Sequence, residues 1–170
     1  DANDGRMPQT AFKTVARAIS GVAAPILPGD TVRIKAGRYR ERTSVSKSGT
    51  STDRIVIGPY GNGEVILDAS SALAGWTLVA GQVFKAHTGY AVTAVVVDDT
   101  ALFPEFSQGA LAENRYYYDA AAGDLYLWAP GGGSPATRDI GVIRDDAYQD
   151  GFLVNQASHV TLYGLTVRFA

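Results

Sequence analysis

The chain has 170 residues and carries 15 Lys plus Arg against 17 Asp plus Glu, a formal net charge of -2. It is long enough for one ordinary core and lacks the basic excess with which nucleic-acid binders neutralise phosphates. Hydrophobic residues at 46%, 19 glycines and no Cys exclude a disordered chain, a disulfide framework and cysteine-ligated zinc. In chain order, Phe12, Val15, Ala16 and Ile19 in TAFKTVARAIS fall at helical spacing, with Thr10 as N-cap and Gly21 as stop. PGDTVRIKAG follows, with Val32, Ile34 and Ala36 on one face and Thr31, Arg33 and Lys35 on the other, the period of a half-buried strand. Further short strands are predicted at 43–45, 55–57 and 65–67, separated by the turn-rich SKSGTSTD and GPYGNG.

From residue 76 the style changes. WTLVAGQVFKA reads as a hairpin across Ala80 and Gly81, AVTAVVVDD as a longer strand ending in the turn formers Asp98 and Asp99, and RYYYDAAAGDLYLWAP as a second hairpin with its loop between Asp119 and Asp124. Tyr116 and Tyr118 share one face of that hairpin, and Tyr126 and Trp128 share another. PGGGSP closes the segment, and GFLVNQASHVTLYGLTVRFA returns to short strands around a polar corner at 155–158. This gives three segments: 1–75, an antiparallel insert at 76–143, and 144–170. Short strands returning every twenty-odd residues fit the coils of a parallel solenoid. An antiparallel sandwich of about eight strands fits the same periodicity.

Several groups of residues could carry chemistry. Asp145, Asp146 and Asp150 in RDDAYQD could contribute oxygen ligands to Ca2+, but the spacing is not an EF-hand loop; solvated turn residues explain it better, and no cofactor is expected. Glycoside hydrolysis needs two carboxyls across a sugar, and nothing selects a pair among Glu41, Glu64, Asp68 and Glu105. Arg33, Lys35, Arg38, Arg40 and Arg42 form a basic row suited to a solvated surface or to acidic sugars. His87 and His159 lack the spacing of a triad or a metal site. Tyr116, Tyr118, Tyr126 and Trp128, with Arg33 and Lys35, are the candidate carbohydrate-binding residues, because flat aromatic faces stack on pyranose rings. The hairpin has two faces, so part of this aromatic set must be core. No apolar run approaches the roughly 20 residues that span a bilayer, so neither a membrane nor nucleic acid is an expected partner.

TAFKTVARAIS followed by PGDTVRIKAGRYRERTSVSKSGTSTDRIVIGPYGNGEVILDAS resembles the N-terminal opening of right-handed parallel β-helix proteins of the pectate-lyase-like superfamily. Their cap helix, PGD turn, G-x-Y-x-E element and SGT turn map to Phe12–Ile19, Pro28–Asp30, Gly37–Glu41 and Ser48–Thr50. The ending HVTLYGLTVRFA is similar to an early body coil, and YYYDAAAGDLYLWAPGG to an antiparallel insert of carbohydrate-active members. The resemblance implies an all-β fold: the start of a right-handed parallel β-helix, a single-stranded solenoid, with an N-terminal cap helix and an antiparallel β insert. It further implies an extracellular or periplasmic protein that acts on or binds polysaccharide, as a lyase, a hydrolase, a binding module or a structural cap. Family active sites lie on later coils, so the expectation is a piece of a longer chain without a complete active site, able to self-associate through its C-terminal coil.

Overall fold

The computed structural model of the chain describes residues 2–20, 26–145 and 151–169. It divides into two compact units, Asp1–Ala69 with Gln149–Ala170, and Ser70–Tyr148. Both consist mainly of strands.

The first unit opens with one short helix, α1 (Val15–Ser20). It starts later than the periodicity predicts. Thr10 does not cap it: Thr10 closes a 3-10 turn at Pro8–Thr10 and its hydroxyl donates to Asp4 at 2.5 Å. The caps are Thr14, whose Oγ1 accepts the Arg17 N–H at 3.2 Å, and Glu41, whose carboxylate accepts the N–H groups of Val15 and Ala16 at 2.7 and 2.9 Å. Gly21, the expected stop, lies outside the described residues. Val15 and Ile19, one helical turn apart, are both buried, each contributing about 1.5–3 kcal/mol to closing the core.

At the PGD turn Gly29 takes φ +88° and the Asp30 carboxylate accepts the Leu27 N–H at 2.7 Å. This launches β1 (Thr31–Arg40), followed by β2 (Thr43–Val45) and β3 (Ile55–Asp68). The last is one strand where two are predicted. GPYGNG does not end it, because β3 stays beside β1 in parallel register, Val32 opposite Ile57 and Tyr39 opposite Leu67, across a shift between Lys35 and Gly37. That irregularity exposes Ala36 while Ile34 is buried.

The second unit is antiparallel in most of its pairings. It comprises β4 (Ser71–Ala72), β5 (Thr77–Ala80), β6 (Val83–His87), β7 (Val92–Val97), β8 (Thr100–Ala101), β9 (Phe103–Pro104), β10 (Arg115–Asp119), β11 (Asp124–Trp128) and β12 (Ile140–Arg144). These form two sheets, ordered β5-β6-β11-β10-β9 and β4-β12-β7-β8, in which only β9 joins its neighbour in parallel. Tyr116, Leu125 and Leu127 from the first sheet share a core with Val95, Val97, Ile140 and Val142 from the second. Asp98 and Asp99, at φ +46° and +64°, make the β7–β8 turn expected of them.

The chain then returns to the first unit as β13 (Phe152–Val154), β14 (Val160–Leu162) and β15 (Leu165–Arg168). β13 pairs in parallel with β2, and β14 and β15 pair in parallel with β3. Ile34, Val45, Ile55, Ile57, Val65 and Leu67 of these parallel-paired strands form one buried core. Val32 and Leu165 pack against this interior, but Leu162, expected within it, is 41% exposed on the outermost strand.

Candidate functional site

The carboxylates open to a catalytic reading are engaged elsewhere. Glu41 caps α1. Asp68, fully buried, pairs with Arg38 Nε at 2.6 Å and Arg40 Nε at 3.2 Å, so part of the basic row neutralises an interior charge that would otherwise cost several kcal/mol. Glu64 accepts from the Thr166 hydroxyl at 3.1 Å in the first unit, and Glu105 meets Arg115 at 3.6 Å in the second. Among the described residues no cluster of His, Cys, Asp and Glu is suited to a metal. Asp145 is exposed, and Asp146 and Asp150 lie outside the described residues. No described helix is long and apolar enough to cross a membrane.

The aromatic residues fall on two faces of the β10–β11 hairpin because strand side chains alternate. Tyr116 faces Leu127 and Tyr118 faces Leu125 on the core side. Tyr116 is 5% exposed, donates its hydroxyl to the Thr93 carbonyl at 2.9 Å, and has its phenol pKa pushed up by burial. Tyr118 packs against the same core. The alternation that presents Tyr126 outward turns both inward, Tyr116 into the core and Tyr118 partly buried against it.

The opposite face is the candidate site. Tyr126 stands across from Tyr117, and Trp128 across from Arg115. The Tyr117 and Tyr126 ring centroids are 5.9 Å apart, tilted by 32°. β6 adds Lys85 beside Tyr126 and His87 beside Asp124. Lys85 Nζ is 5.8 Å from the Tyr126 ring centre and 2.8 Å from Asp124, whose other oxygen is 3.2 Å from His87 Nδ1. The Lys85 hydrogen bond holds the Asp124 carboxyl below the ordinary range, helped by His87, and raises Lys85 itself. On the far side the Arg115 guanidinium lies 5.0 Å from the exposed ring of Phe103. The result is an aromatic floor with a rim of hydrogen-bonding charges.

Sequence reasoning singles out Tyr126 and Trp128 but leaves Tyr117, Lys85, Asp124 and Phe103 out of the binding set. Tyr117 belongs to the aromatic set that the sequence offers, and in RYYYD the middle tyrosine faces opposite to its neighbours. Lys85 and Phe103 come from other strands, and only the sheet order brings them in. Arg33 and Lys35 belong to the first unit. They are exposed on β1, where Arg33 donates to the Tyr163 hydroxyl and Lys35 to the Pro8 carbonyl.

No family model matches the chain, and no curated protein matches it. Among solved structures it is similar to that of XylC in complex with xylose, at a TM-score of 0.66 and 14% identity, over 87% of this chain. The match takes in 32% of that chain, so the present residues span about a third of its length. The likeness is one of fold.

Proposed function

We propose that the chain is the cap and first coils of a right-handed parallel β-helix whose antiparallel insert, at 76–143, binds a glycan, within an extracellular or periplasmic carbohydrate-active protein. The outward row of Tyr117, Tyr126 and Trp128 with its charged rim carries this reading. Tyr126 and Trp128 are two residues apart on one strand, about 7 Å by strand rise, so consecutive sugar rings can each meet a flat face while the rim bonds their hydroxyls. Parallel pairing a circuit apart supports the β-helix, and parallel crossovers are right-handed in about 98% of cases. The fold neighbour holds xylose, which supports a neutral sugar as ligand.

In this reading the chain binds rather than cleaves, because Glu41 and Asp68 are committed to a helix and to two arginines. Titrating the chain with xylo- and cello-oligosaccharides, followed by tryptophan fluorescence, should give saturable binding. Tyr126→Ala and Trp128→Ala should each weaken it about ten-fold, the scale of one lost stacking partner, with no release of reducing or unsaturated ends. Unaltered binding in a double variant that keeps the wild-type melting temperature, or steady turnover, would overturn the proposal.

A further inference from the structure

The charges around the aromatic floor carry an inference that rests on the glycan reading and names the class of glycan. Strand alternation and register place rows of side chains across the outward face of the sheet β5-β6-β11-β10-β9. Phe103, Arg115 and Trp128 form one row, since Arg115 is the cross-strand partner of both others. The Glu105 N–H donates to the Tyr116 carbonyl, which carries the pairing one residue beyond β9 and puts Glu105 in the next row, with Tyr117, Tyr126 and Lys85. Asp119, Asp124 and His87 form the row after that.

Both cations in these rows have a carboxylate beside them. Lys85 Nζ is 2.8 Å from Asp124, and Arg115 Nε is 3.6 Å from Glu105. Asp119 accepts the amides of Ala121 and Ala122 at 3.0 and 3.2 Å, so it serves its own hairpin loop. With His87 neutral, carboxylates outnumber cations on this face. A sugar hydroxyl both donates and accepts, so it can bond the cation and the carboxylate of one pair together. A carboxylate only accepts: it would have to compete with Asp124 for Lys85, or with Glu105 for Arg115, while lying beside a like charge. Stacking uses the apolar face of the ring, which a uronate shares with its parent sugar, so the floor does not discriminate and the rim must.

We propose that Glu105 and Asp124 are the specificity-determining residues of this face: by neutralising Arg115 and Lys85 they restrict it to neutral glycans and exclude chains of uronic acids. Removing either charge frees a cation beside the aromatic floor, and the excluded class gains a partner of opposite sign.

The test compares three ligands on the whole chain by calorimetric titration: a cello-oligosaccharide, the same oligomer with its primary alcohols oxidised to carboxylates, and the methyl ester of that acid. The sugar and the ester should bind, and the acid at least about ten-fold more weakly. Glu105→Gln and Asp124→Asn keep the size of each side chain and remove its charge. In each, the ratio of acid to ester affinity should rise about ten-fold, and the acid should bind more weakly as salt is added. Adding Trp128→Ala to Glu105→Gln should weaken the acid about ten-fold, which ties it to this face rather than to the arginines of the first unit. An acid bound by the wild-type chain as tightly as its ester, a ratio unmoved in both variants, or acid binding that survives Trp128→Ala would each overturn the inference and leave the glycan reading standing. Failure of the wild-type chain to bind both the sugar and the ester would overturn that reading, and this inference with it.

Discussion

Asp98 sits at φ +46° in the β7–β8 turn, and its carboxylate accepts the Asp139 N–H at 2.9 Å and meets Arg138 Nε at 2.7 Å. Arg138 in turn donates to the Pro130 carbonyl, so one exposed aspartate ties the turn to the segment leading into β12. The Asp139 N–H, then Arg138, hold its carboxyl below the ordinary carboxylate value. The folded state therefore binds this proton more weakly than the unfolded one, and the contribution to stability is complete above about pH 3.9 and lost as pH falls through the lower folded value. Asp98→Asn keeps an acceptor for the Asp139 N–H and tolerates the left-handed backbone while deleting the charge. In urea titrations followed by tryptophan fluorescence, which reports the second unit through Trp76 and Trp128, the variant should lose about 0.5 kcal/mol near pH 7, as exposed ion pairs do. The gap to wild type should narrow as pH falls from about 3.9 through the lower folded value. A constant gap at every pH would mean that the carboxylate's charge contributes nothing.

At the scale of elements, glycines mark where the first unit's turns and strands approach most closely. A Cβ on Gly49 would lie 2.7 Å from the carbonyl oxygens of Asp53 and His159 and 2.8 Å from the Ile55 nitrogen, all backbone atoms that cannot step aside. The Gly49 N–H also donates to the Ser158 carbonyl and the Ile55 N–H to that of His159, so the SGT turn is bonded to the segment that leads into β14. Gly49→Ala should destabilise the first unit by about 2 kcal/mol or more, the cost of overpacking against fixed groups, seen as a lower circular-dichroism midpoint with the tryptophan signal's midpoint unmoved. Gly61→Ala, at φ +82° with nothing within 4 Å, should cost about 1 kcal/mol from backbone strain alone. Equal effects of the two would show that contact with the backbone of Asp53, Ile55 and His159 is not what fixes Gly49.

These contacts also explain what could be read from sequence and what could not. Strand alternation marked Val32, Ile34, Ile55 and Ile57 as interior positions and put Tyr116 and Tyr118 on a face apart from Tyr126 and Trp128, since these are properties of neighbours along the chain. Periodicity could not choose between parallel and antiparallel stacking, because the choice lies in pairs such as Val32 with Ile57. It misjudged α1, because the cap comes from Glu41, 26 residues beyond Val15. It split β3 at GPYGNG, where Gly58 is needed because a side chain there would overlap the Tyr163 ring.

At the scale of the whole chain, the two ends of the first unit's parallel sheet differ. The β1 edge carries Arg33 and Lys35 and is overlain by segment 5–12, charged and covered as edge strands usually are. The other edge is formed by β14 and β15, beyond which no strand pairs among the described residues. There Leu162 and Val167 are 41% and 47% exposed, and unpaired edge N–H and C=O groups beside apolar side chains recruit further strands. We therefore expect the 170-residue chain to self-associate through this edge. With one edge blocked, pairing through the other is isologous and closes at two copies, whereas two open edges would build filaments. Light scattering should show a dimer that dissociates on dilution. Leu162→Lys with Val167→Lys should weaken it at least about ten-fold by placing like charges across a two-fold contact. Both positions are exposed, so the melting temperature should hold. A chain that stays monomeric at high concentration would show that this edge recruits no second copy, and growth beyond dimers would show that segment 5–12 does not block the β1 edge.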